Sequence, residues 1–204
     1  MLKLLHDATF YHLLARIDAD LAEAVRQAKC RVCGGVLHRA RYPRKPRGGP
    51  ADLPSGYDWR HSLCCAIDGC RKRSTPPSTR FLGRRVYLGA IVVLATAMRD
   101  GINAVRAARL KELFGVSRKT LDRWRAWWRE TLPASRFWQT VRGRLMPAID
   151  EGSLPRSLLA CFTSSSDGDD GALVALLQLL RPITMTPGLE ASASCWSLAT
   201  RRGW

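Results

Sequence analysis

The feature that most constrains this fold is a pair of cysteine couples in a segment with few apolar residues. Two residues separate Cys30 from Cys33, four separate Cys65 from Cys70, and glycine accompanies each couple. Glycine permits the tight turns in which backbone N–H groups point at thiolates. Four thiolates at these positions form a closed tetrahedral site of the kind that structural Zn²⁺ occupies. The sequence therefore predicts a small β zinc ribbon in which Cys30, Cys33, Cys65 and Cys70 are the ligands.

Some alternatives for the ligands are open at this point. Cys64 could replace Cys65, because successive strand residues face opposite sides of a sheet, and His38 or His61 could replace one cysteine. The chain has seven cysteines and no stretch like a secretory signal, so we expect a cytoplasmic protein that associates with the nucleoid. In that compartment clustered cysteines bind metal more often than they form disulfides.

The residues between the two couples cannot form a helix. Residues 41–56 hold four Pro and three Gly among four basic side chains, which predicts a mobile loop that bulges from the ribbon. The flanking stretches GVLHRA and YDWRHSLCC are predicted to be short strands.

The remainder of the chain is predicted to be helical, which makes the fold class mainly α with a small β ribbon. Apolar residues recur at three- and four-residue spacing in seven segments: 4–29, 86–99, 104–114, 118–128, 138–145, 154–162 and 172–180. The predicted organisation is a packing helix, the ribbon, a three-helix core, a C-terminal helical region and a disordered tail: 1–29, 30–80, 81–132, 133–187 and 188–204.

The basic charge lies in the middle of the chain. The formal net charge is +16, and residues 31–85 hold 13 basic against three acidic side chains. Residues 86–144 hold 12 against four, whereas the two ends are neutral or slightly acidic. A local excess of one sign favours a polyanionic partner for the middle of the chain. No apolar run is long enough to predict a membrane span.

A second constraint is the stretch LKELFGVSRKTLDRWRAWW, residues 110–128. With Gly115 as a left-handed helix cap, helical spacing directs five apolar side chains inward between two helices: Leu110, Phe114, Val116, Leu121 and Trp124. Ser117 is a favourable N-cap for the second helix. Five side chains then face outward near the start of that helix: Ser117, Arg118, Lys119, Asp122 and Arg123.

The GVSRKTLDRW segment resembles the helix-turn-helix of resolvases and insertion-sequence transposases. The two cysteine couples are followed by an Arg-rich strap and then by this segment, and in that order residues 30–130 resemble the N-terminal DNA-binding part of bacterial transposases or transposon-associated proteins. The resemblance implies that the second helix lies in the major groove of duplex DNA. Arg118 and Lys119 are then the candidates for base contacts, and Arg123 for a phosphate contact. Lys111 departs from the family pattern, which has alanine at this position.

An Arg-rich strap, residues 71–87, connects the ribbon to the helices and contains a Pro-Pro pair. Basic arms of this kind follow a phosphate backbone or enter a minor groove. We therefore expect Arg80, Arg84 and Arg85 to contact DNA.

Catalysis of the transposase kind requires three metal-binding carboxylates on an RNase H-like sheet. The acidic residues after position 130 lie in predicted loops or at their edges: Asp150, Glu151, Asp167, Asp169 and Asp170. We therefore expect a non-catalytic, sequence-specific double-stranded DNA-binding protein. A transposase or recombinase partner and a homodimer are both compatible with this interpretation.

Two other classes of function remain open from the sequence. A zinc-ribbon RNA-binding protein would share the charge, and would bind single strands through exposed aromatic side chains. A DNA-binding subunit of an active transposase would take its catalytic carboxylates from a second chain.

Overall fold

The computed structural model describes residues 2–49, 52–82, 87–97, 103–163 and 169–185, which leaves the predicted disordered tail at 188–204 outside the described residues. The chain is mostly helical with a small antiparallel sheet, so this part of the predicted fold class is confirmed. The α-helices are α1 (Ala8–Gln27), α2 (Gly89–Thr96), α3 (Ala104–Phe114), α4 (Arg118–Ala126), α5 (Arg136–Val141), α6 (Arg156–Thr163) and α7 (Asp169–Leu180). The strands are β1 (Leu37–Arg39), β2 (Tyr42–Pro43), β3 (Trp59–Arg60), β4 (Leu63–Cys65) and β5 (Arg73–Ser74).

Short polar side chains start several of the helices. Asp7 Oδ1 accepts from the Thr9 backbone N–H at 2.9 Å at the start of α1, and Asn103 Oδ1 accepts from Arg106 at 2.8 Å at the start of α3. These contacts satisfy N–H groups that the first turn of a helix leaves without an intrahelical acceptor. The local sequence therefore fixes where these helices begin.

The helix α2 is the centre of the core. All residues from Gly89 to Ala95 are buried, and this helix packs against α4, α7 and the short 3₁₀-helix Leu2–His6. A helix that is apolar on every side is stable in water only when other elements surround it. Within the apolar run that the sequence shows at 86–98, α2 therefore lies between the first 3₁₀-helix, α4 and α7.

The ribbon consists of two small antiparallel sheets in succession. In the first sheet β1 pairs with β4 and β4 with β5, with Leu37 opposite Cys65 and Leu63 opposite Ser74. The second sheet pairs β2 with β3. A hydrogen bond of 2.9 Å from the Ala40 N–H to the Ser62 carbonyl joins the two sheets. The strands predicted from GVLHRA and YDWRHSLCC are thus present.

The prediction of a mobile loop at 41–56 is wrong for the residues that the structure describes. Its first part belongs to β2, and Gly48 and Leu53 lie against the helical core. Gly48 has φ +74°, and a β-carbon there would lie 2.5 Å from Ile91 Cδ1 of α2. Glycine is therefore required at this position both for its backbone angle and for the close approach of the loop to α2.

A buried ion pair connects α1 to the segment after the ribbon. Asp18 is completely buried, and Arg80 Nε donates to its Oδ2 at 2.8 Å. The other Arg80 nitrogens donate to the carbonyls of Tyr57 at 2.8 Å and Trp59 at 3.1 Å. Backbone and hydroxyl groups of Ser78 and Thr79 complete the hydrogen bonding of the Asp18 carboxylate. We call Asp18, Ser78, Thr79 and Arg80 the polar hub.

The polar hub corrects one predicted DNA contact. Arg80 is 2% exposed and its donors are occupied by protein acceptors, so it cannot reach a phosphate. The strap residues 76–82 are buried rather than exposed. Arg84 and Arg85, the other two strap residues predicted to contact DNA, lie outside the described residues.

The polar hub also reaches the C-terminal part of the chain. The Ser78 backbone N–H donates to Thr184 Oγ1 at 2.9 Å, and the buried Arg60 donates to the Thr184 carbonyl at 3.3 Å. A single cluster of buried apolar residues runs from Leu4 in the first 3₁₀-helix to Leu180 in α7. Within the described ranges, no helix has both the length and the apolar character needed to cross a membrane.

Candidate metal centre and nucleic-acid interface

Four cysteine thiols converge at the end of the ribbon that follows α1. The Sγ atoms of Cys30, Cys33, Cys65 and Cys70 all lie within 4.8 Å of one another. Cys30 Sγ is 3.8 Å from Cys70 Sγ, and Cys33 Sγ is 3.4 Å from Cys65 Sγ. Tetrahedral coordination with bonds of about 2.3 Å requires sulfur atoms about 3.8 Å apart. The cluster could therefore hold a metal ion with little rearrangement.

Backbone N–H groups point at these sulfur atoms, as the glycine-containing turns predict. The N–H groups of Cys33 and Val32 donate to Cys30 Sγ and lower the pKa of that thiol to about 7. The N–H groups of Gly35, Ile67 and Lys72 donate to Cys33, Cys65 and Cys70 respectively, although burial and the neighbouring cysteines raise the pKa of these three thiols overall. Hydrogen bonds of this kind favour thiolates, and the thiolate is the form of cysteine that binds metal.

The register of β4 decides between Cys64 and Cys65. Cys65 is completely buried in the cluster, whereas the side chain of Cys64 points away and contacts the carbonyl of Arg71 at 3.7 Å. His38 and His61 are not members of the cluster. The geometry therefore selects the ligand set that the spacing predicts, without a histidine.

Few apolar side chains stabilise this end of the ribbon. The small core here consists of Leu37 and Leu63 with Cys30 and Cys65, and it is separate from the main core. Gly35 lies directly against the cluster, because a β-carbon there would be 2.6 Å from Ile67 Cγ1 and 3.1 Å from Cys65 Sγ. A metal ion bound by the four cysteines would add stability to a segment with so small a core.

His61 is half-buried next to the polar hub, and this position predicts a pH dependence of stability. Burial, with a smaller contribution from the positive charge of Arg80, lowers the pKa of His61 from 6.5 to about 4. The folded state thus favours neutral His61, so this contribution to stability is complete above pH 6.5 and is lost as the pH falls towards 4. We expect the free energy of unfolding in urea to fall more for the wild type than for His61→Gln between neutral pH and about pH 5. Equal decreases in the free energy of unfolding for the wild type and His61→Gln would show that the pKa of His61 is the same in the folded and unfolded states.

The second predicted feature is the pair of helices around Gly115. The residues predicted to face inward, Leu110, Phe114, Val116, Leu121 and Trp124, are all buried. Gly115 has φ +65° and ends α3, and Ser117 Oγ accepts from the Thr120 N–H at 3.3 Å to start α4. The helical path continues past α4 through one π-helical turn, Trp127–Thr131, which buries Trp128. Both helix boundaries at this turn are those that the sequence predicts.

The outer face of α4 carries the residues predicted to meet DNA. Ser117, Arg118, Lys119, Asp122 and Arg123 are all exposed. Arg123 Nη2 donates to Thr120 Oγ1 at 3.3 Å, which directs its guanidinium towards the start of the helix. Lys111, which departs from the family pattern, is exposed to solvent. The structure thus brings the five predicted contact residues of α4 onto one accessible face.

Comparison of the chain with protein-family models, with curated proteins and with solved structures gives no match.

Proposed function

We propose that this protein is a non-catalytic, transposase-like protein that binds double-stranded DNA sequence-specifically. The observation that carries the proposal is the exposed N-terminal face of α4, where Arg118 and Lys119 stand side by side above a buried Leu121 and Trp124. A rigid helix with free cationic side chains at its N-terminus is the element that helix-turn-helix proteins insert into the major groove. The buried side chains hold this face in place, so little order has to be gained on binding.

The distribution of charge supports a duplex as the partner. The middle of the chain holds most of the basic excess, and exposed Lys111, Arg109 and Arg129 surround the proposed contact face. Neutralising phosphates with such side chains releases counterions and provides affinity for any sequence. Arg118 and Lys119 then supply the sequence preference, because their donors match guanine O6 and N7.

Zinc is the ion that we propose for the cysteine cluster. Four thiolates are soft ligands, and a tetrahedral site of four sulfur atoms favours Zn²⁺ among the common divalent ions. The same ligand set leaves no open coordination position for a substrate. Cys30, Cys33, Cys65 and Cys70 would therefore hold a structural zinc that keeps the end of the ribbon ordered.

The contacts of Asp150 and Glu151 support a non-catalytic role for these two carboxylates, whereas Asp167 lies outside the described residues. Glu151 accepts from Trp138 Nε1 at 2.7 Å and from Arg142 at 3.2 Å, and Asp150 Oδ1 accepts from the Gly152 N–H at 3.0 Å. The Asp150 contact caps the start of the short 3₁₀-helix Glu151–Ser153, and the Glu151 contacts join this helix to α5 and the residue after it. Within the described ranges, the cysteines are the one group that assembles a metal-binding cluster.

Duplex binding over a salt series tests the proposal, with Arg118→Ala and Arg123→Ala as a matched pair on the same helix face. We expect Arg118→Ala to reduce the preference for one base pair by about 1–3 kcal/mol, because it removes a base contact. Arg123→Ala should weaken all duplexes alike and lower the salt slope by about 1, because it removes a phosphate contact. Selection from a random duplex library provides the preferred sequence for both measurements.

The two alternatives give different results in the same experiment. An RNA-binding protein would prefer single strands, and Arg118→Ala would leave its duplex binding unchanged. A subunit of an active transposase would nick DNA with Mg²⁺ when its catalytic partner is added. Equal weakening of every duplex by Arg118→Ala would remove this residue from a base-reading role.

A further inference from the structure

A row of exposed basic residues follows one edge of the ribbon. From Arg41 to Arg47 the odd-numbered residues are exposed and the even-numbered residues are partly buried. This alternation is the signature of an extended strand with one face covered. The exposed face carries Arg41, Lys45 and Arg47, which we call the cationic stripe.

Pairing with the neighbouring strand keeps the first part of the cationic stripe extended. Pro43 lies opposite Trp59 in the β2–β3 pair, and the Arg44 N–H donates to the Asp58 carbonyl at 2.7 Å. Two residues of extended chain advance about 6.6 Å, so the stripe from Arg41 to Arg47 spans about 20 Å. One strand of a duplex carries one phosphate for about each 3.4 Å of axial rise, so the three cations of the stripe fall within the axial length of about six base pairs.

An exposed tryptophan supports the first member of the stripe. The Arg41 guanidinium lies 5.9 Å from the ring centre of Trp59, which is 40% exposed. A cation over an aromatic face is attracted by the ring without being neutralised by a carboxylate. Arg41 therefore keeps its charge available to a ligand. Arg39, two residues earlier, is instead paired with Glu23 of α1 at 3.1 Å and is not part of the stripe.

The cationic stripe leads directly to the turn before α4. Arg47 forms a backbone bridge with Tyr87, and the Tyr87 hydroxyl donates to the Gly115 carbonyl at 2.9 Å. A β-carbon on the next residue, Gly48, would lie 3.4 Å from Phe114 Cβ at the end of α3. The last cation of the stripe is thus held beside the turn that precedes Ser117 and Arg118.

We infer that the cationic stripe binds the phosphates of one strand of the same duplex whose bases α4 reads. This inference rests on the proposed function and extends it to a second surface. Arginine and lysine on an extended edge, spaced by Pro43, can make point contacts with phosphates, and such contacts position a duplex without reading its sequence. The stripe therefore adds affinity and orientation on one side of the site, and α4 adds the sequence preference.

The test compares two triple variants that each remove three exposed positive charges. Arg41→Gln/Lys45→Gln/Arg47→Gln neutralises the stripe, and Arg16→Gln/Arg144→Gln/Arg156→Gln neutralises exposed arginines on other elements. All six side chains are exposed, so both variants are expected to fold, and thermal unfolding checks this. The selected duplex, a scrambled duplex and a single strand of the selected sequence are the probes.

We expect the stripe variant to lower the salt slope by about 2.7, since each phosphate contact contributes about 0.9. Affinity at about 0.1 M salt should fall by about 100-fold on both duplexes, with their ratio unchanged. The backbone footprint should become shorter by about six nucleotides on one side only. The control variant should keep the full footprint and show a smaller change of slope.

Equal slopes and footprints for the two triple variants would overturn the inference. Loss of single-strand binding with duplex binding intact would overturn it as well, in favour of a single-stranded ligand. Arg118→Ala, measured in parallel, separates the two proposals. If it abolishes the sequence preference while the stripe variant behaves like the control, the proposed function stands and the stripe inference fails. If it leaves the preference unchanged, the proposed function itself fails.

Discussion

Cys65→Ser is expected to abolish tight metal binding and to unfold the end of the ribbon around the cysteine cluster. Cys65 is completely buried and its sulfur lies 3.4 Å from that of Cys33, so a serine removes one of four converging ligands. Structural zinc contributes about 10–16 kcal/mol to the folding of small zinc-dependent peptides, and the apolar core here is too small to replace it. Metal content after dialysis against a chelator measures the binding, and hydrogen exchange of residues 30–40 and 62–74 measures the local unfolding.

Cys64→Ser is the matched control, because the two cysteines are neighbours on β4 and differ in the face that they occupy. Cys64 contacts the carbonyl of Arg71 and not the cluster. This variant should retain its metal and its exchange protection. Loss of metal from both variants would contradict the ligand set. Retention by Cys65→Ser would show that the cluster does not need this thiolate.

The second large effect is expected for Asp18→Asn in the polar hub. The substitution preserves shape but leaves the Arg80 guanidinium buried without a counter-charge, and Arg80 is only 2% exposed. Removing one member of a buried ion pair destabilises proteins by about 3–5 kcal/mol. Urea unfolding followed by circular dichroism measures this loss. The hub joins α1, the strap and the 3₁₀-helix Arg181–Thr184. The urea concentration at the midpoint of unfolding should therefore decrease for all of these elements together.

Glu23→Gln on the same helix provides the comparison. Glu23 accepts from Arg26 and Arg39, but these ion pairs are at the surface and screened by solvent. We expect a much smaller decrease in stability than for Asp18→Asn. Similar decreases for the two variants would mean that the Asp18–Arg80 pair contributes no more than a surface ion pair.

Local patterns predicted the members of the cysteine cluster and the helix pair well, because each cysteine couple and each helix boundary depends on residues that are close in sequence. The glycine at 115, the N-cap at Ser117 and the spacing of apolar residues together determine the bounds of α3 and the start of α4. The choice of Cys65 over Cys64 required the strand register. The register depends on how β1 pairs with β4, and this pairing cannot be predicted from the residues of either strand alone.

Long-range contacts explain the predictions that were wrong. Arg80 pairs with a carboxylate 62 positions away, so its position among other basic residues gave no sign of burial. One local signal was available, because Arg80 is followed by Phe81 and Leu82, whereas Arg84 and Arg85 form a charged pair. The Pro/Gly-rich stretch was predicted to be mobile because proline and glycine exclude a helix. The same glycines allow close packing, as Gly48 does against Ile91.

The sequence has basic residues at positions 41, 45 and 47, and these are the exposed members of the cationic stripe. Arg44 lies between them and interrupts the pattern, because its guanidinium faces the ring of Phe81 at 5.6 Å. The pairing of β2 with β3 is needed to tell that Arg44 faces the protein whereas Arg41, Lys45 and Arg47 face solvent.

The polar hub has a consequence for how such a chain can evolve. Asp18, Arg80 and Thr184 come from the first, middle and last parts of the described chain, and their hydrogen bonds meet at one buried place. A gene fragment that encodes only the cysteine cluster and the helix pair would transfer Arg80 without its carboxylate. Exchange of this region between proteins by recombination is therefore disfavoured, and the described segments are expected to be inherited together.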